Sequence, residues 1–514
     1  MRVIELTEVT SHSLLLAFIA SLFVASLALS GANADARSGN DEWLMFHHDP
    51  AHTGYSTSKA PETNQTLWTY KINGAAGSPA IANARVYVGS AEGIVYCLSA
   101  LDGTFLWSYQ TGGEVEACPA VVGNRVYVGS TDQNIYCLEA YSGTRIWNCT
   151  TGGQVRSSPT VLDGRVYVGS YDGYVYALDA ANGALLWKYQ TAAAVQSSPA
   201  VLDGNLFVGS NDRNFYCLNC SDGALVWKFN TGNWVGSSPA IADGRVYFGT
   251  DGSYFFALNA SDGGVLWQYP TTYGVSATPA VVEGKVYFGS RDLNIYCLDG
   301  TNGTQLWKFK TNAWITCAPA VADGKVYAGE GMHVRATSSD FYCLDTATGS
   351  LIWKFTANYS GIWMSSSPAV AYGNVYVGSD DGYLHVFSSS QNPPLLQPEV
   401  TVVSPVKQTY NASSVSFVFI VNDPVSWTGY SLDGGETVTV SGNITLTDLS
   451  NGLHNVTVYA SDASGNVGMS ETVSFTVKVP EPFMIELIVA VVAVVTAAVG
   501  TSVILYFRKR KRLV

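Results

Sequence analysis

One segment of about forty residues is written eight times in this chain, and that repetition limits the possible folds more than composition does. Its opening proline recurs at Pro79, Pro119, Pro159, Pro199, Pro239, Pro279, Pro319 and Pro368. A glycine ten residues on recurs at Gly89, Gly129, Gly169, Gly209, Gly249, Gly289, Gly329 and Gly378. The period is 40 residues for six steps and 49 for the last. In the copy at 159–187, SSPTVL leads to the turn dipeptide Asp163-Gly164, RVYVGS follows, YVYALD comes after a second turn, and ALLWKYQ closes the unit. Asp-Gly between apolar runs is a hairpin signal, and four short strands with no helical period predict one propeller blade per copy. Strands such as Val166-Tyr167-Val168 are apolar on both faces, so each blade must be covered by two neighbours. The expectation is an all-β chain with an eight-bladed β-propeller over 66–388, after a lead-in segment over 35–65.

Closure of that ring is also readable. Trp107, Trp147, Trp187, Trp227, Trp267, Trp307 and Trp353 stand on the fourth strand of successive units, while the eighth unit ends at Phe387 without one. Trp68, ahead of the first proline, is the missing copy, so the N-terminal strand is expected to complete the last blade and remove its open edge.

Asp179, Gly183 and Trp187 resemble the tryptophan-docking motif (Ala-x-Asp-x-x-Thr-Gly-x-x-x-Trp) of the pyrroloquinoline-quinone (PQQ)-type propellers. The same pattern stands at Asp299, Gly303 and Trp307 and at Asp345, Gly349 and Trp353, within a resemblance that covers roughly 43–387. The resemblance implies that each Trp stacks on a neighbouring blade. It implies less about function, because the family holds both dehydrogenases and non-catalytic scaffolds. A dehydrogenase of this kind would be expected to carry a carboxylate base, calcium held against PQQ by acidic and amide side chains, a Trp floor and often a vicinal Cys pair. This chain has no adjacent Cys pair, and its acidic residues match no such spacing. No Ser-His-Asp, zinc or P-loop signature is present either. No cofactor is therefore expected, with PQQ and calcium as the alternative.

Around the ring the sequence predicts an exported, anchored protein. Residues 1–34 hold an apolar run before Ala32-Asn33-Ala34 and read as a signal peptide, with an uncleaved anchor as the alternative. His47, His48, Asp49 and His52 in the lead-in look like a metal cluster; a plug packed on the ring through Trp43 and Phe46 is the preferred reading. A Ser/Pro linker over 389–398 precedes short alternating strands over 399–479, which predict an immunoglobulin-like β-sandwich without cysteine. Residues 484–507 are apolar and long enough to span a bilayer, and the basic tail 508–514 follows. Charge asymmetry then puts the tail in the cytoplasm and both domains outside the cell, with membrane as a partner. Val479-Pro480-Glu481-Pro482 also resembles a sorting signal after which the span would be removed. A net charge of −13 disfavours nucleic acid. Asn64, Asn148, Asn219, Asn259, Asn302, Asn358, Asn411, Asn443 and Asn455 are glycosylation candidates. Of nine cysteines, Cys97, Cys137, Cys217, Cys297 and Cys343 share one position and read as small buried fillers; Cys118, Cys149, Cys220 and Cys317 are the candidates for any bridge.

Residues common to all blades cannot mark one site, so function is sought where the units differ. Unit seven lengthens the turn after its second strand (329–340), bringing Glu330, His333 and Arg335, and the loop at 356–367 is also longer. Both are expected side by side over the channel mouth. In the loop approaching each proline, later units carry Trp234, Trp314 and Trp363, with Tyr273 close to the matching position, where units two to four carry Glu114, Gln154 and Ala194. Two residues on, Glu116, Arg156 and Gln196 give way to Gly236, Ser276 and Thr316. One side of the mouth is thus expected to be aromatic and the other charged, the usual make-up of a ligand pocket. The expected function is a non-catalytic binding or scaffold propeller for an unknown protein, glycan or small molecule. A quinone-dependent oxidoreductase and an adhesin or glycan reader are the alternatives.

Overall fold

Each repeat folds as one antiparallel sheet, and the turn chemistry explains why. In the third copy the strands are Thr160–Leu162, Arg165–Gly169, Tyr174–Asp179 and Leu185–Gln190, paired in chain order. Asp163 and Gly164 take φ of 50° and 71°, the left-handed pair that a tight hairpin needs. The next turn is tied by Asp172, which accepts from the Tyr174 amide at 3.0 Å, the Gly152 amide at 2.7 Å and the Tyr176 hydroxyl at 2.5 Å. Asp132 and Asp212 do the same in their own sheets, so these acids build turns. This computed structural model describes residues 42–331, 339–357, 364–389, 398, 400–421, 425–461, 467–479 and 485–510. The signal peptide, His333, Arg335, Asn358 and Trp363 lie outside the described residues.

Eight such sheets make a β-propeller. Their first strands neighbour one another in cyclic order, the eighth lying beside the first. The strand Thr66–Lys71 pairs antiparallel with Tyr383–Phe387, so the chain's beginning completes its last sheet. Trp68 then docks on sheet one as the other seven dock on their own neighbours. Trp107 Nε1 donates to the Ala140 carbonyl at 2.9 Å, Trp187 to Cys220 at 3.0 Å, and Trp68 to Ala100 at 3.3 Å. The Tyr of the second strand adds a second donor to the same carbonyl, as Tyr87 does on Ala140 at 3.3 Å. A side chain at Gly183 would put Cβ 2.6 Å from the Trp147 ring, and its φ is 75°, so the docking site requires glycine twice over. At the seam before sheet eight, the Pro61 carbonyl serves Trp353 and Tyr327, both at 3.2 Å.

The lead-in is a strap around the inside of the ring. The inner strand of each sheet leaves amides facing the channel, and an unpaired edge there would be costly. The amides of Val121, Val201, Ile241, Val281 and Val321 donate in turn to the carbonyls of Leu44, Pro50, Ala51, Thr53 and Gly54 at 2.6–2.9 Å. His47 and His52 are fully buried in it. His47 has Nδ1 2.8 Å from the His52 carbonyl and Nε2 2.9 Å from that of Pro319; His52 has Nδ1 3.1 Å from the Pro239 carbonyl. Burial pulls the His52 pKa down to about 3, so the ring is neutral in ordinary buffers. Among the described residues no group of three or more His, Cys, Asp or Glu could hold a metal ion, and the strap's histidines serve as hydrogen-bonded packing. All nine cysteines are free thiols, which leaves the expected bridge candidates unpaired.

Residues from Leu395 form a second unit, with one sheet of three strands and one of six around Phe417, Val456, Val458 and Phe475. A helix covers Ile485–Arg510, where the membrane span was expected. Among the described residues no helix is long and apolar enough to cross a membrane.

Two predictions follow from these contacts. Trp187→Ala removes ring and hydrogen bond together and is expected to cost the propeller about 3–5 kcal/mol, read from guanidinium denaturation. In the second unit His454 Nδ1 donates to Asp433 Oδ2 across 2.7 Å, and its Nε2 faces the Ser450 carbonyl at 2.8 Å. That carbonyl, then the carboxylate, raise the His454 pKa above its ordinary value. The bonus is complete below about pH 6.5 and disappears as pH rises through the folded-state value. The melting temperature of the second unit should therefore fall from pH 6 to pH 8 in calorimetry, and His454→Gln should flatten the slope.

Candidate functional site at the channel mouth

The strap makes the channel a cup rather than a pore. Phe46 lies at the bottom of a cavity of about 260 Å³, and the approach loops of the sheets form its wall. The lowest ring of that wall is the residue before each repeat proline: Ser78, Cys118, Ser158, Ser198, Ser238, Thr278, Ala318 and Ser367. These hydroxyls stitch sheet to sheet. The amides of Cys118, Ser158 and Ser198 donate to Ser158, Ser198 and Ser238 Oγ at 2.8–2.9 Å, and the Ser367 amide donates to Ser78 Oγ at 2.8 Å. Sequence reasoning missed this ring, although the Ser or Thr before six of the eight prolines was its signal.

The next ring carries the differences that the sequence singles out. Glu116, Arg156, Gln196, Gly236, Ser276 and Thr316 all line the cavity. Arg156 is held by three neighbours. It pairs directly with Glu116, lies 3.6 Å from Glu114, and donates from Nε to Gln154 Oε1 at 3.1 Å. Partial burial raises the Glu116 pKa, against the pull of Arg156. The charged half of the mouth is therefore paired within itself, with one carboxylate in excess of its guanidinium.

The aromatic half comes from the approach loops of sheets five to seven. Trp234 is 56% exposed and Tyr273 62% exposed, whereas Trp314 is half-buried. The Asp251 amide donates to the Trp234 carbonyl at 3.1 Å; the Asp251 carboxylate meets Arg291 at 3.1 Å. Arg291 in turn lies over the Trp314 ring, 5.9 Å from its centre. Trp363, the fourth expected member, lies outside the described residues.

Glu330 does not belong to the mouth. It is fully buried and takes over the work of the turn aspartates from two positions earlier in the unit. Oε1 accepts from the amides of Asn312 and Ala313 at 2.8 and 3.1 Å and from Tyr342 at 2.7 Å; Oε2 accepts from the Asp340 amide at 2.9 Å. The extra methylene lets it reach where Asp132 or Asp172 reaches in other sheets. The two lengthened loops do meet at their roots, where the Met364 amide donates to the Glu330 carbonyl at 2.9 Å.

A second cavity of about 310 Å³ opens between sheets eight and one, lined by Ala76, Ser78, Glu116, Ser365 and Asp380 among others. The Ala76 amide bonds to Ser379 as the Val115 amide bonds to Ser90, so the approach loop of sheet one is a residue shorter. That deletion, with Ala in place of an aliphatic side chain, leaves the space. Burial raises the pKa of Asp380, whose Oδ1 accepts from Ser365 Oγ at 2.7 Å.

These features place the chain among the PQQ-type propeller proteins. A family model described as outer membrane protein assembly factor BamB matches residues 57–118, 112–199, 172–295, 270–340 and 292–469, and the chain belongs to that PQQ-like repeat family. BamB from Moraxella catarrhalis superposes with a TM-score of 0.54 at 16% identity, over 63% of this chain and 99% of that one. Quinohemoprotein alcohol dehydrogenase from Comamonas testosteroni gives 0.58 at 14% identity, over 74% and 86%. A europium-containing methanol dehydrogenase gives 0.58 at 13% identity, over 68% and 98%. At such identities the likeness concerns the fold alone. Halomucin of Haloquadratum walsbyi is 41% identical over 88 residues, which are 16% of this chain and only 1% of that protein's length.

The contrast between Glu330 and Glu114 is measurable. Glu330→Ala strands four donors and is expected to destabilise by about 2–4 kcal/mol. Glu114→Ala, exposed at the rim, should stay within about 0.5 kcal/mol in the same denaturant titration.

Proposed function

We propose that this protein is a non-catalytic binding propeller of eight blades, exported and anchored at the cell membrane, that takes its ligand at the channel mouth. An immunoglobulin-like spacer and a C-terminal membrane helix would follow the propeller in the chain. The observation that carries the reading is the internally paired mouth. Arg156 is occupied by Glu114, Gln154 and Glu116, and most of the remaining lining of the described cavity is hydroxyl or amide. Catalysis by general acid or base asks for a titratable group poised toward open space. A PQQ and calcium site of the kind the family resemblance implies would ask for carboxylates available to the ion. Glu116 is held by Arg156, and Glu330 is spent inside sheet seven. The residues present do not fit that group.

The test is a titration of the purified full chain with PQQ and calcium, followed by absorbance and by dye-linked alcohol oxidation. No saturable spectral change and no turnover are expected. Stoichiometric PQQ uptake that Glu116→Gln abolishes would replace this reading with the oxidoreductase one.

A further inference from the structure

The aromatic half of the mouth resists explanation by folding. The positions of Trp234 and Tyr273 fall in approach loops that close equally well in sheets two to four around Glu114, Gln154 and Ala194. Core demand would bury such rings, yet these two are more than half exposed. Large exposed aromatics on neighbouring rim loops mark contact surfaces.

Their backbones are also fixed in advance. Thr271 Oγ1 donates to the Tyr273 carbonyl at 2.6 Å, the Arg291 amide donates to Gly274 at 3.1 Å, and the Gly331 amide donates to Trp314 at 2.7 Å. A ligand would therefore meet a rigid platform and lose little to loop ordering. The Asp251 and Arg291 pair, whose amides bond to the Trp234 and Gly274 carbonyls, supplies acceptors and donors beside these loops while contributing no net charge. The chain as a whole carries −13, which repels polyanions.

We propose that this belt binds a neutral carbohydrate chain, sugar rings stacking through their C–H faces on Trp234 and Tyr273 while hydroxyls reach Asp251 and Arg291. This rests on the binding reading above and names its ligand class. A pyranose has an apolar face and a hydroxyl edge, matching flat rings open to solvent beside a paired polar group. A planar quinone would need enclosure that rings this exposed do not offer.

The experiment uses the full chain in detergent and a panel of neutral hexasaccharides: cellohexaose, maltohexaose, mannohexaose and chitohexaose. Tryptophan fluorescence and calorimetry read binding. At least one of them should bind saturably, with Trp234→Ala and Tyr273→Ala each weakening it about tenfold or more. Trp234→Phe should retain most of the affinity, and Phe105→Ala, exposed on the outer strand of sheet one, should leave it unchanged. Unchanged melting temperatures would show that the variants fold. No saturable binding by any of the four, or binding indifferent to Trp234→Ala, overturns the proposal. A proline-rich peptide that binds in their place and is lost with Trp234→Ala also overturns it while leaving the binding reading intact; PQQ uptake would remove both.

Discussion

The hydrogen bond from each docking tryptophan to a carbonyl of the next sheet is the contact on which this molecule depends. A four-stranded sheet of alternating Val, Tyr and Leu is apolar on both faces and has no independent way to hide them. The indole bridges that problem at the outer edge. It covers the glycine turn of its neighbour, donates to the carbonyl beside it, and shares that carbonyl with a tyrosine from its own sheet. Sheet four shows the contact's tolerance: Phe207 stands where other sheets have Tyr, and the Ala260 carbonyl receives Trp227 alone at 3.0 Å.

Closing a ring by this device creates two further obligations. One sheet must be shared between the chain's ends, which Thr66–Lys71 meets by pairing with Tyr383–Phe387. The inner strands must also find acceptors for amides that face the channel, and the strap provides them in chain order from Leu44 to Gly54. The same strap turns the channel into a cup. A ring with equal blades has no preferred sector, so any site must come from unequal loops at the open end.

Much of this was legible. The period, the Asp-Gly and Gly turns and the displaced Trp68 read directly because each is a local requirement repeated until it stands out. The split of the mouth into charged and aromatic residues was also visible as a departure from the repeat. Glu330 was misread because a lengthened loop looks functional in a sequence. Only in three dimensions does its carboxylate coincide with those of the turn aspartates. The hydroxyl ring and the cleft beside sheet one were missed for a related reason. A serine before proline looks like turn chemistry, and a one-residue deletion has no visible consequence until its neighbours fail to fill the space.

Local patterning, then, determined the number of sheets, their strand order and the identity of the closing strand, because backbone pairing and apolar alternation act over a few residues. Which side chains share the mouth, which charges cancel there and which rings stay in solvent were decided by the closed ring alone. Those properties depend on distances between residues forty or more positions apart, and no stretch of sequence carries them until circular closure brings the loops to one rim.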